Sequence, residues 1–296
     1  MDLATYFDGL LANIEPNAEN VKIAKRAHEK LRRILEEDPE IVDAKPDTYL
    51  SGSYARDTAI NDIKDVDIIL MIDLDFRKMS PEKSPDVVVT WLQYILQKHY
   101  PKVIKQGRSV GVATDSDFCL DVVPVVPFTH KDGPAWMPDR DVKCWVPSHP
   151  KGQIQFSVQR NTDTDGCYKP LVKIMKHWRD TSTSTNSRIK SYILESLVAE
   201  CVTTKPLSYG RAVSDIFNFI YRKYSTYLVI KSVPVIADPG YPGVNTAKRW
   251  TYGEFESFMA AVARAIPIAR AALESTDENE SVRNWQKLFG SKFSKG

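Results

Sequence analysis

Apolar positions recur along this chain with two different periods, and the change of period divides it. From Asn20 to Glu37 they fall at Val21, Ile23-Ala24, Ala27, Leu31 and Ile34-Leu35, a helical stripe on a segment rich in Lys and Arg. Ile68 to Ile72 is an unbroken apolar run, the pattern of a buried strand, and predicts a strand over 66–74. Ser84-Pro85-Asp86 starts a second helix, with Val88, Trp91-Leu92 and Ile95-Leu96 as its buried face. Apolar runs near 103–106, 110–113 and 118–125 predict three more strands. The stretch 127–152, rich in Pro, Gly, Asp and Trp, reads as a long loop. From Tyr168 onward the period is helical, and the polar C-terminal stretch carries a short helix near 282–289. The pattern predicts an α+β protein in two parts, a mixed β-sheet with helices over 1–165 and a helical lobe over 166–296. No internal repeat is visible.

Charged residues interrupt the apolar strands at three places. Asp65 and Asp67 stand on alternate residues at the start of the first strand, so their side chains share one face. Asp121 lies inside the run 118–123, where an unpaired charge costs roughly several kcal/mol and calls for a cation or a hydrogen-bonding partner. Asp62 and Asp117 are near but outside the apolar runs. Gly52-Ser53, just upstream, has the backbone amides and hydroxyl to hold a phosphate. Taken singly, an Asp-x-Asp is most often a solvated strand edge and a Gly-Ser a loop. Together, three carboxylates on two strands beside such a turn suit nucleotidyl transfer with two metal ions.

Farther on, Leu171, Ile174-Met175 and Trp178 form one helical face, and Lys169, Lys173 and Lys176 a stripe opposite, either solvated or phosphate-binding. The next helix, from about 187, buries Ile189, Ile193 and Leu197 and leaves Ser191 and Tyr192 on other faces. Tyr192 is either a core-edge aromatic or a platform on which a base stacks. Arg56 and Asp57 brace the Gly-Ser turn, with Arg56 also within reach of a phosphate, while Lys105 and Arg108 are weaker candidates for a second nucleotide. His130 and His149 fall in loops and read as solvated.

Residues 51–58, Ser-Gly-Ser-Tyr-Ala-Arg-Asp-Thr, followed by Asp65-Val66-Asp67-Ile68, resemble the signature of Pol-β-like nucleotidyltransferases. Within that superfamily the chain is most similar to the oligoadenylate-synthetase and cyclic GMP–AMP synthase branch and its bacterial members, the CD-NTases. Val122-Val123-Pro124 after the third aspartate, Lys176 spaced ahead of Ser191-Tyr192, and the segment from Asp238-Pro239 to Asn245 carry the narrower likeness. In that last segment the final apolar residue and the Asn are exchanged relative to the family pattern. The resemblance implies a Pol-β-like catalytic core with a long bridging helix at 20–37, a C-terminal helical lobe, and an active-site cleft between the lobes. Asp65, Asp67 and Asp121 would hold two Mg²⁺ ions, with Mn²⁺ able to substitute, and Asp121 would ligate or accept the ribose proton. Gly52, Ser53, Lys176, Ser191 and Tyr192 would bind nucleotide. The implied activity is template-independent joining of ATP and other nucleoside triphosphates into a cyclic di- or trinucleotide second messenger in antiphage signalling. A HORMA-type or ubiquitin-transfer-like accessory protein and an effector reached through the product are the implied partners. A linear 2′–5′ oligoadenylate synthetase and an RNA-tailing nucleotidyltransferase share the catalytic residues. A catalytically idle nucleotide-binding scaffold is a third alternative, disfavoured because it has no reason to keep three repelling carboxylates together.

Composition narrows this further. Forty basic against 38 acidic residues give a net charge of +2, without the basic excess of a dedicated duplex-binding protein, so no nucleic-acid partner is indicated. No apolar run reaches membrane-spanning length and the N-terminus is not a signal peptide, which reads as cytoplasmic. Four cysteines, at 119, 144, 167 and 201, are too scattered for a zinc site and read as small buried hydrophobes. The zinc-binding thumb of the similar animal DNA sensor is therefore absent.

Overall fold

A computed structural model describes residues 1–61, 63–73, 84–114, 118–182 and 189–296. Leu74, Asp62, Asp117 and the expected helix start at 187 lie outside these. The described chain forms two compact units, Pro16–Gln155 and Met1–Glu15 with Phe156–Gly296. The first helix, α1 (Ala4–Ile14), belongs to the second of these.

The sheet unit contains α2 (Ala18–Glu37), β1 (Asp47–Ser51), the short turn α3 (Gly52–Ala55), β2 (Asp65–Met71) and α4 (Ser84–Gln97). It continues with β3 (Val103–Lys105), β4 (Val110–Ala113), β5 (Cys119–Pro127), β6 (Ala135–Asp139) and β7 (Cys144–Ser148). These strands make one seven-stranded sheet in the order β1-β2-β5-β4-β3, with β6 on β5 and β7 on β6. Only β2 and β5 run parallel; the other pairs are antiparallel. The side-chain period of two splits each central strand. Val66, Ile68 and Leu70 of β2, with Leu120 and Val122 of β5, pack into one core with Leu31 and Leu35 of α2 and Leu92 and Leu96 of α4. Asn17 caps α2 by accepting from the Glu19 amide at 2.8 Å. The opposite face carries the smaller cluster Ile69, Met71, Val123, Val125 and Ala135.

The expected loop at 127–152 is corrected: β6 and β7 form an antiparallel hairpin that extends the sheet from the end of β5. Pro138, Pro147 and the mostly half-exposed side chains of β7 hide the alternation on which strand recognition depends.

α5 (Pro150–Asp163) carries the chain into the helical unit, which comprises α6 (Tyr168–Ser182), α7 (Ser191–Cys201), α8 (Tyr209–Tyr224) and α9 (Thr226–Val229). The hairpin β8 (Ala237–Asp238) and β9 (Tyr241–Asn245) follows, then α10 (Tyr252–Glu274) and α11 (Glu278–Phe289). Thr251 and Glu254 close a reciprocal capping box at the start of α10. Trp178 of α6 sits at the centre, edge-on to Phe217 at 4.7 Å and to Phe258 at 6.1 Å. A second aromatic cluster joins the chain's extremes: Phe7 of α1 lies 5.2 Å from Trp285, 6.1 Å from Phe289 and 5.0 Å from Phe293.

Two further expectations are corrected. Of the two readings of the lysine stripe on α6, the solvated one fails for Lys173 and Lys176, which are buried, whereas Lys169 is half-buried. Lys173 and Lys176 are drawn inward by acidic partners, Glu15 and Glu195. The cysteines are not buried hydrophobes: all four are unpaired, Cys144 is exposed and the others are half-buried. No described helix is long and apolar enough to cross a membrane.

Candidate active site

Two strands set the geometry. In the β2–β5 register Asp65 faces Cys119 and Asp67 faces Asp121, so these four side chains emerge on the sheet face away from α2 and α4. Antiparallel pairing of β1 places Ser51 opposite Asp67, which brings the next residue, Gly52, over the Asp67 carboxylate. A Cβ on Gly52 would fall 1.7 Å from Asp67 Oδ2, and the backbone there has φ of 67°. Only glycine meets both conditions. Ser53 follows in the same turn, half-buried, and its carbonyl accepts from the Thr58 amide at 2.9 Å. Gly111 is the second such position: it pairs with Asp121, and a Cβ there would lie 3.0 Å from Asp121 Oδ1. Both inner carboxylates therefore rest against glycines.

Charge at this face is only partly compensated. Burial, and after it repulsion from Asp65 and Asp121, together push the Asp67 carboxyl up to about 6 against the opposing Arg56 guanidinium. Asp121 is raised too, by burial and by Asp65, while a hydrogen bond from Gln106 opposes the shift. Burial and the carboxylates of Asp121 and Asp65 likewise hold the Cys119 thiol above its ordinary range. Among the described residues no three His, Cys, Asp or Glu side chains are already closed around a common point. The donor chemistry still fits a divalent ion: carboxylate oxygens near enough to repel one another suit Mg²⁺ or Mn²⁺, whose charge relieves that repulsion.

The remaining candidates of the sheet unit are engaged locally. Arg56 is buried at 6 % exposure. Arg108 makes two bonds to Asp139, at 2.9 and 2.6 Å, and Lys105 reaches Thr90 at 2.9 Å. His149 lies 3.2 Å from the Asp132 carbonyl, and His130 is exposed against Gly133. Gln106, which donates to Asp121 Oδ1 at 3.0 Å, carries no sequence signal, since a lone glutamine between two short strands looks like any turn residue.

In the helical unit, Lys176 and Glu195 form a buried ion pair at 2.6 Å, with side chains 3 % and 2 % exposed. Ser191 starts α7, and its hydroxyl accepts from Arg179 at 2.9 Å. Tyr192 donates from its hydroxyl to Asp238 Oδ1 at 2.6 Å. The same oxygen accepts from the amides of Gly240 at 2.8 Å and Tyr241 at 3.2 Å, so the Asp-Pro segment is a turn that anchors the tyrosine. Asn245 fastens the other end by accepting from the amides of Ile236 and Ala247, each at 3.0 Å.

Residues 1–161 match the family model of the Second Messenger Oligonucleotide or Dinucleotide Synthetase domain. The chain belongs to this family. Residues 155–266 of this synthetase match the model of the cGAS/DncV-like nucleotidyltransferase C-terminal helical domain. It is 31 % identical over 295 residues to a cyclic AMP-AMP-AMP synthase of an Acinetobacter strain, covering 97 % of this chain and 84 % of the relative. A cyclic AMP-AMP-GMP synthase of Enterobacter hormaechei is 27 % identical over 355 residues, with 99 % and 92 % covered. The fold is similar to that of E. coli CdnC, solved with ATP, with TM-score 0.79, 21 % identity and 99 % of both chains covered. The same CdnC in complex with a HORMA protein gives TM-score 0.78 at 20 % identity over 99 % and 98 % of the two chains. The synthetase is thus a nucleotidyltransferase of the CD-NTase kind, with an α+β core and a helical C-terminal part.

Proposed function

We propose that this synthetase joins ATP and further nucleoside triphosphates into a cyclic trinucleotide containing at least two adenylates, releasing pyrophosphate at each step. The observation that carries the reading is Asp67 standing directly across a parallel strand pair from Asp121, with Asp65 on the same face and Gly52 closed over Asp67. The adenylate content follows the names of the two relatives, cyclic AMP-AMP-AMP and cyclic AMP-AMP-GMP synthases.

In this reading Asp65, Asp67 and Asp121 would hold two Mg²⁺ ions. When bound, two such ions lower the pKa of the attacking ribose hydroxyl and stabilise the leaving pyrophosphate. The protein's own part is positioning. Gly52 and Ser53 receive the triphosphate, Ser191 and Lys176 add to its neutralisation, and the Tyr192 ring, its hydroxyl tied to Asp238, stacks on a base. Lys176 reaches a phosphate only by releasing Glu195. In this reading the sheet unit, Pro16–Gln155, supplies the catalytic aspartates, and the helical unit supplies Lys176, Ser191 and Tyr192. The synthetase works in the cytoplasm, in antiphage signalling, under a HORMA-type regulatory protein like the partner solved with CdnC, and its product activates a separate effector.

Incubating the purified chain with all four ribonucleoside triphosphates and Mg²⁺ or Mn²⁺, then treating with phosphatase and analysing by mass spectrometry, tests this. A phosphatase-resistant species with the mass of a cyclic trinucleotide is expected. Only linear, trimmed products, with or without a HORMA protein added, would overturn it.

A further inference from the structure

We propose that Gln106 is a positioning residue for Asp121, holding one oxygen of that carboxylate so that the other is presented to a divalent ion. This rests on the reading of Asp121 as an ion ligand given above. Gln106 Nε2 donates to Asp121 Oδ1 at 3.0 Å, and the Ser109 hydroxyl donates to Gln106 Oε1 at 2.8 Å. An ionised carboxylate only accepts, so the amide NH₂ must face Asp121 and its carbonyl must face Ser109. Each end of the amide is therefore assigned, and the chain Ser109–Gln106–Asp121 has one direction.

The space in which this bond lies is itself built. A Cβ on Gly111 would fall 2.7 Å from Gln106 Nε2 and 3.0 Å from Asp121 Oδ1. Any other residue would push the amide and the carboxylate apart. The backbone that carries Gln106 is pinned from several sides. Its amide donates to the Ser109 carbonyl at 2.9 Å, and its carbonyl accepts from Arg140 NH1 at 2.8 Å. Arg140 is held in turn by Asp86 of α4 at 2.6 Å, and its own amide donates to the Gly107 carbonyl at 2.9 Å. Arg108, in the same turn, bonds the buried Asp139 at the end of β6. The β6–β7 hairpin and α4 thus fix the turn between β3 and β4, and that turn delivers one amide to one carboxylate oxygen. Closing the turn needs only the backbone bond to Ser109. The side-chain amide serves Asp121, and outer partners of this kind change metal affinity or activity by roughly 10–100-fold.

The test uses the full chain with three substitutions: Gln106→Met, which keeps length and removes the donor, Gly111→Ala and Ser109→Ala. Mn²⁺ binding to the nucleotide-free protein is read by electron paramagnetic resonance of the free ion. The Mg²⁺ concentration for half-maximal rate, kcat and KM for ATP are measured alongside. Gln106→Met and Gly111→Ala are expected to weaken Mn²⁺ binding and raise the Mg²⁺ requirement by roughly 10–100-fold, with KM for ATP within about twofold of the parent. Ser109→Ala, which leaves the amide in place but free to rotate, should shift both in the same direction by less. If Gln106→Met does not fold, Ser109→Ala decides. Folded variants with parental Mn²⁺ affinity and Mg²⁺ requirement overturn the inference, as does a rise in KM for ATP without change in either. A parent protein that binds no Mn²⁺ overturns the ion-ligand reading and this inference with it, whereas parental binding with unaltered variants overturns this inference alone.

Discussion

In the sheet unit, Asp65, Asp67 and Asp121 stand on one face of the sheet, and among the described residues Arg56 and Gln106 oppose their repulsion. In the helical unit the buried charges meet opposite charges: Lys176 with Glu195 at 2.6 Å and Lys173 with Glu15 at 2.7 Å. Both arrangements put charge where water is scarce, yet their consequences for stability have opposite sign. The carboxylate face is held together against its own electrostatics by strands that are anchored elsewhere, in the core shared with α2 and α4. The lysine–glutamate pairs are part of what holds their unit in register. A charge that weakens the fold marks a place shaped for something else to bind, whereas a paired charge such as Lys176 must first give up its partner before it can bind anything else.

The sharpest way to break this contrast is Asp67→Asn. Ion-assisted charge stabilisation is worth several kcal/mol in a transition state, so turnover should fall by roughly 10³-fold or more. Melting temperature without added ions should rise rather than drop, and a variant that loses both activity and stability would contradict the comparison. Gly52→Ala should approach the same loss of rate, because the new methyl displaces the Asp67 carboxylate. Lys176→Met is the converse experiment. Leaving Glu195 buried and unpaired should cost about 3–5 kcal/mol in denaturant unfolding, and Lys176→Met combined with Glu195→Leu should recover most of it. Because Lys176 is also proposed to meet the triphosphate, KM for ATP should rise in both variants, and a parental KM would confine Lys176 to the framework.

The pH dependence sharpens the contrast. With its carboxyl raised to about 6, the folded ion-free protein binds the Asp67 proton more tightly than the unfolded chain. Stability from this group is therefore complete below about pH 4, declines as pH rises through about 6, and then stays lower by on the order of 3 kcal/mol. Urea midpoints across that range should show the decline in the parent and lack it in Asp67→Asn. The smallest expected effect is at Tyr192→Phe. Removing the hydroxyl bond to Asp238 should cost about 1–2 kcal/mol, since two backbone amides still satisfy the carboxylate, and KM for ATP should rise more than kcat falls.

What the sequence reveals follows the same division. Asp65, Asp67 and Asp121 are legible because charge inside an apolar strand is costly and conspicuous, and Gly52-Ser53 because it lies at a fixed spacing ahead of them. The sheet strands 103–105, 110–113 and 119–127 and the helix at 84–97 also follow their apolar runs closely. The hairpin of β6 and β7 is not legible, because its prolines and half-exposed residues imitate a loop. Nor are the true surroundings of Lys173 and Lys176. A polar face on one helix reads as solvated until the acidic residues that cover it, 158 and 19 positions away in the chain, are brought up by the fold. Gln106 shows the same limit at the candidate site: its meaning depends on Gly111 and Asp121, with which it shares no local pattern.

The aromatic cluster of Phe7 with Trp285, Phe289 and Phe293 bears on how the molecule is born. α1 leaves the ribosome ahead of the sheet unit, yet the rings that cover Phe7 follow roughly 15–60 s later at ordinary rates of translation. The sheet unit, continuous from Pro16 to Gln155, has all its partners long before then. A polypeptide whose synthesis stops before Trp285 would therefore carry both a finished carboxylate face and an uncovered aromatic helix, a form open to chaperones and proteases.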